Sequence, residues 1–182
     1  TAEYQLSLGG TSVDGTNPVM GTLWTSANKI IHDADLVITN AALLTDKNYA
    51  AGLIAYASIM KALSLGFLSE FWEKVPDGTG TNVNFITRND GYTRAISIID
   101  GALAAINANA MSATFLANIP VGIDIINTLY ALKARYSLFL GNYAQALTAA
   151  NLVDLTKKSV FNYEAANLNP IFEPVTSTNN VY

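Results

Sequence analysis

His32 stands beside Asp33 and Asp35, a grouping from which a metal site or a general base could be built. Neighbouring residues on a helix point about 100° apart, so His32 and Asp33 cannot converge on one ion as an i, i+4 pair can. A solvated helix face is the expected reading. The chain has one histidine and no cysteine, so zinc ligation and a nucleophilic triad lack their usual parts. Asp77-Gly78-Thr79-Gly80-Thr81-Asn82 offers oxygen ligands on a flexible backbone, but it lacks the alternating acids and closing Glu of an EF-hand loop. It reads as an ordinary loop. No glycine-rich phosphate cradle follows a strand, which leaves nucleotide binding without support.

Trp24 and Trp72 are the residues best suited to holding a ligand. Sugars present C–H faces that stack on indole, while their hydroxyls need polar partners such as Asn or Asp. Trp72 falls at the end of an expected helix, close in sequence to the polar stretch Asp77–Asn84. Trp72, Asp77, Asn82 and Trp24 are therefore the expected ligand-binding residues, against the plainer reading that both tryptophans are packing residues. Tyr49, Tyr56, Tyr136 and Tyr143 lie in apolar stripes and are expected to pack. No catalytic residue, metal or cofactor is expected.

Helices must position these groups. Asn17-Pro18 gives a cap followed by proline at the first helical position. Leu23, Ala27, Ile30, Ala34, Val37 and Ala41 then recur at three-four spacing, which predicts a helix over about 18–44. Thr45-Asp46 caps a second, over about 47–73, carrying Tyr49, Leu53, Tyr56, Met60, Leu63, Phe67 and Phe71. So short a link makes the two antiparallel. A polar loop beginning at Pro76 is followed by a third helix over about 89–108, in which Gly101 is expected to mark close helix packing. A further loop reaches Gly122. A fourth helix over about 123–140 carries Ile125, Leu129, Leu132, Tyr136 and Phe139. Gly141-Asn142 ends it and caps a fifth, over about 143–157, with Tyr143, Ala146, Leu147, Ala150 and Val153 as its apolar side and Lys157-Lys158 complementing its dipole. The segment up to Gly15 and the residues after Ser159 show no sustained period and are expected to be irregular. No alternation is long enough to predict a sheet.

Composition supports a folded helical chain: 51% of the 182 residues are hydrophobic, enough for a core. Only 13% are charged, so Asn, Thr, Ser and Ala must cover much of the surface, which suits glycan or protein contact. The ten basic residues are scattered, which argues against a nucleic-acid partner, and the net charge of -4 names no partner. The longest uncharged run, Gly101 to Ile123, is interrupted by Asn107, Asn109, Ser112, Asn118 and Pro120, so a membrane anchor is expected to lie outside this chain.

Ala134, Gly141, Asn142, Tyr143 and Ala146 occupy the small, turn, aromatic and small positions of a tetratricopeptide hairpin, with the tyrosine expected to plug the turn. Leu68-Ser69-Glu70-Phe71-Trp72-Glu73-Lys74-Val75-Pro76, Arg88-Asn89-Asp90-Gly91-Tyr92 and Tyr130–Ala146 follow in order, then Phe161-Asn162-Tyr163 and Asn169-Pro170-Ile171-Phe172. This order resembles the SusD/RagB family of nutrient-binding outer-membrane lipoproteins over roughly Leu23 to Phe172. Lys61 and Tyr56 stand where the family usually has Arg and Glu, and Glu73 replaces a turn glycine.

The resemblance implies an all-α, tetratricopeptide-like scaffold of antiparallel hairpins with irregular loops and tail. Residues 1–182 would form a single domain, part of a longer family architecture. It further implies capture of a glycan or peptide at the bacterial outer-membrane surface, delivery to a SusC-like TonB-dependent barrel, and a lipid anchor outside this chain. A tetratricopeptide adaptor that binds a protein or peptide in a groove is the alternative. An enzyme would need convergent titratable groups, and the sequence offers scattered carboxylates.

Overall fold

The computed structural model describes residues 1–162. The expected aromatic segment through Tyr163, the Asn169–Phe172 stretch and the tail to Tyr182 lie outside the described residues. Within them the chain is mainly helical: α1 (Ala2–Leu8), α2 (Pro18–Ala41), α3 (Lys47–Phe71), a two-stranded ribbon of β1 (Lys74–Pro76) and β2 (Phe85–Thr87), α4 (Arg88–Ala108), α5 (Ala113–Asn118), α6 (Ile125–Phe139) and α7 (Tyr143–Ala150).

The starts follow from local chemistry. The Asn17 side chain accepts from the Val19 and Met20 amides ahead of Pro18, and Asp46, Asp124 and Asn142 cap α3, α6 and α7 in the same way. Thr87 and Asp90 form a reciprocal capping box at α4. Gly141, at φ 74°, takes the left-handed conformation between α6 and α7 that favours glycine.

α3 is the central helix, packed by α2, α4, α5 and α6. It is long and apolar enough to cross a membrane by composition, with a mean hydropathy of 1.6 over its best window, but 61% of that window is buried inside the bundle. Burial all round requires small residues where neighbours approach. Ala50, Ala51, Gly52, Ala55, Ala57, Ser58, Ala62, Ser64, Gly66 and Ser69 supply them, while the expected stripe from Tyr49 to Phe67 forms its half-buried flank and Phe71 is exposed. Gly52 lies under the Phe115 ring and Gly66 under the Tyr136 ring. Tyr136 is held there by its hydroxyl, which donates to the Ala62 carbonyl at 3.1 Å. Burial raises its pKa well above the ordinary tyrosine value.

Several expectations require correction. α1 and a 3₁₀ turn over Gly10–Ser12 occupy the segment expected to be irregular. The ribbon pairs Lys74 with Thr87, Val75 with Ile86 and Pro76 with Phe85; three residues per strand are too few to reveal alternation. α5 lies within the expected loop, too short to show a period, and inserts Phe115 against α3. Gly101 is exposed with open space around it, so close packing falls instead at Gly52, Gly66 and Gly91. α2 stops at Ala41 rather than near Leu44, and α3 at Phe71 because Trp72 is extended and feeds β1. α6 begins at Ile125 because Asp124 is its cap.

α7 ends at Ala150, well short of residue 157. Beyond it the Asp154 amide bonds to Asn127 Oδ1, and the Asp154 carboxylate accepts from the Thr156 amide and hydroxyl in a turn. Lys157 and Lys158 therefore follow a turn rather than a helix end. α7 also packs through Ala146 and Ala149, leaving Tyr143 and Leu147 exposed, so Tyr143 does not plug the hairpin.

Candidate ligand-binding site

The first half of α2 and the loop between β1 and β2 face each other across an open cleft of about 540 Å³. Trp24, Asn28 and His32 form the helix wall. Their spacing of four keeps them on one helical side. Opposite stand Pro76, Thr79, Thr81 and Phe85, with Gly78, Gly80 and Val83 between them. Phe85 reaches the cleft because ribbon register puts it across from Pro76, while Val75 points into the core at 0% exposure.

The aromatic groups form a tiered arrangement. The Trp24 and Phe85 rings lie nearly parallel, 16° apart in plane with centroids 6.3 Å apart. Trp72 meets Trp24 edge-on at 5.2 Å and contacts Phe67 and Phe71, each at 6.3 Å. Edge-to-face contacts of this kind are favourable beyond their burial, so Trp72 fixes the indole of Trp24 from behind. The Asn28 amide nitrogen donates to the Trp24 backbone carbonyl at 2.9 Å, which leaves its amide oxygen as an acceptor.

Ion pairs hold the walls in place. Asp35 of α2 pairs with Lys61 of α3, whose side chain is only 12% exposed. Lys61 thus makes an inter-helix ion pair. Asp77 pairs with Arg94 of α4, and the Asp77 amide donates to the Asn84 carbonyl at 2.8 Å, closing the neck of the loop. Asp33 pairs with Lys29 one turn away. Asp33, Asp35 and Asp77 are thereby each engaged by a cation, and among the described residues His32 has no carboxylate partner.

Of the four expected ligand-binding residues, Trp24 borders the cleft. Trp72 supports it from behind, Asp77 ties the loop to α4, and Asn82 lies exposed in the loop but does not border the cleft. Asn28, His32, Thr79, Thr81 and Phe85 were not expected. The Trp24-Asn28-His32 spacing was visible in the sequence as one helical side. Phe85 depended on the ribbon register and carried no such signal. His32 is exposed, as expected of a helix face, and that face is one wall of the cleft.

Apolar surface remains on two other elements. Leu23, Ile30 and Val37 of α2 are exposed at spacings of seven, since Ala27, Ile31, Ala34 and Ala41 make the contact with the bundle; the expected apolar stripe is thus half outward. Leu138, Phe139, Tyr143 and Leu147 of the α6–α7 hairpin are also exposed, although Phe139 meets the Tyr92 ring at 5.3 Å. No protein-family model, curated protein or solved structure matches this chain.

Proposed function

We propose that this chain is a non-catalytic capture module that holds a nutrient ligand, a glycan in preference to a peptide, in the cleft between α2 and the β1–β2 loop. The nearly parallel Trp24 and Phe85 rings, in a cleft also lined by Thr79 and Thr81, carry this reading. Flat C–H faces of a sugar are complementary to the rings, and its hydroxyls to the threonines, Asn28 and His32. Engagement of Asp33, Asp35 and Asp77 by lysine or arginine favours binding over acid-base chemistry.

In the wider setting implied by the family resemblance, the module works at the bacterial outer-membrane surface and passes its ligand to a SusC-like TonB-dependent barrel. The exposed apolar stripes on α2 and on the α6–α7 hairpin support contact with a protein partner. Two measurements test the two parts. Trp24→Ala should weaken oligosaccharide binding in calorimetry by about tenfold or more, some 1.4 kcal/mol. Unchanged binding would remove the cleft from the account. Affinity capture from detergent-solubilised outer membranes should recover a large TonB-dependent barrel in stoichiometric amount; recovery of soluble partners alone would favour a tetratricopeptide-type adaptor.

A further inference from the structure

The charge arrangement around the cleft narrows the ligand class. Among the described residues neither wall carries Lys, Arg, Asp or Glu: the helix side offers an indole, an amide and an imidazole, and the loop side offers hydroxyls, glycine backbone and apolar groups. Lys29 pairs with Asp33 and Lys74 does not border the cleft, and two cations behind it are occupied. Lys61 holds α2 to α3 through Asp35, and Arg94 holds the loop to α4 through Asp77. Both border the space beneath Pro76 and Gly78, behind the cleft.

Resting on the glycan reading above, we propose that the cleft selects uncharged oligosaccharides and rejects anionic ones such as uronic-acid or sulfated chains. A hydroxyl brought against these walls exchanges water for a hydroxyl, amide or imidazole partner of similar polarity. A carboxylate or sulfate would instead lose hydration beside the Trp24 and Phe85 rings with no lysine or arginine on the wall. Recruiting Lys61 or Arg94 would break the ion pair that fixes one wall, leaving Asp35 or Asp77 without its cation. Discrimination therefore comes from the penalty imposed on the charged ligand.

Calorimetric titration of the whole chain at pH 8 and low salt tests this, with oligomers of glucose, galactose, mannose and xylose beside oligogalacturonide and oligoglucuronide of matched length. Trp24→Ala reports whether binding occurs in the cleft. The expected result is Trp24-dependent binding of at least one neutral oligomer and at least tenfold weaker binding of its uronic-acid counterpart. Trp24-dependent binding of the uronic acid with equal or greater strength would overturn the selectivity while leaving glycan capture standing. Binding of neither class would remove glycan capture and this selectivity together.

Discussion

Replacing Gly66 with alanine would put a methyl group where the Tyr136 ring already sits. A Cβ at Gly66 would meet the hydroxyl, Cζ and Cε1 of Tyr136, the last at 2.5 Å. The ring has little room to yield, because it stacks on Tyr92 at 5.6 Å and its hydroxyl bonds to Ala62 of the same helix. Overpacking a full interior typically costs about 1–3 kcal/mol, and loss of the Tyr136 hydrogen bond adds about 1 kcal/mol. Alanine's better helix propensity offsets about 1 kcal/mol of that. The net expectation for Gly66→Ala is a destabilisation of about 2 kcal/mol, or a Tm lower by roughly 4–8 °C in a chain of this size. Gly101→Ala is the matched comparison: the same substitution in exposed α4, with nothing within 4 Å, should stabilise by up to about 1 kcal/mol. Urea denaturation followed by circular dichroism measures both. The cause is isolated by adding Tyr136→Leu, in whose presence Gly66→Ala should cost much less. Equal effects of the two alanines, or no relief from Tyr136→Leu, would refute the assignment of close packing to Gly66.

Asp35→Ala should destabilise by about 1–3 kcal/mol, because Lys61 would keep its charge at 12% exposure without its partner. Asp33→Ala, whose pair with Lys29 is mostly solvated, should change stability by less than about 0.5 kcal/mol in the same urea assay. Thr87→Ala removes the capping box of α4 and should cost about 0.5–2 kcal/mol, read as a lower urea midpoint with an unchanged m-value. Tyr136 gives a pH prediction. Burial raises its folded pKa above the ordinary value near 10, so its stabilising contribution is complete below that pH and is lost as pH rises through the folded pKa. Between pH 9 and 11 the wild type should lose stability faster than Tyr136→Phe, by at most about 1.4 kcal/mol per pH unit, and parallel urea profiles would contradict this.

Much of the fold was legible because its signals are local. Asn17-Pro18, Asp46 and Asn142 mark helix starts through side-chain capping, which needs no distant partner. The α6 stripe Ile125-Leu129-Leu132-Tyr136 is buried as read, with only its last member Phe139 exposed, because α6 buries one side, to which apolar periodicity responds directly. In α3 that signal misled. A helix packed by several neighbours puts small residues at its tightest contacts, so the stripe from Tyr49 to Phe67 falls on its half-buried flank while Ile59, Leu65 and Leu68 are buried off that stripe.

The candidate site divides along the same line. Trp24 was identifiable from residue chemistry, and the wall it shares with Asn28 and His32 follows from helical spacing. Phe85 entered only through the pairing of two three-residue strands, a contact between segments separated by the whole loop. Asp77 was suited by type to a ligand and is engaged by Arg94, seventeen positions away. The sequence by itself determined the five longest helices in outline and several of their caps, all set within a few residues of chain. Only the tertiary structure decided which glycines are crowded, which charges are already paired and which side chains face one another across the cleft, because each depends on contacts between elements that local spacing does not encode.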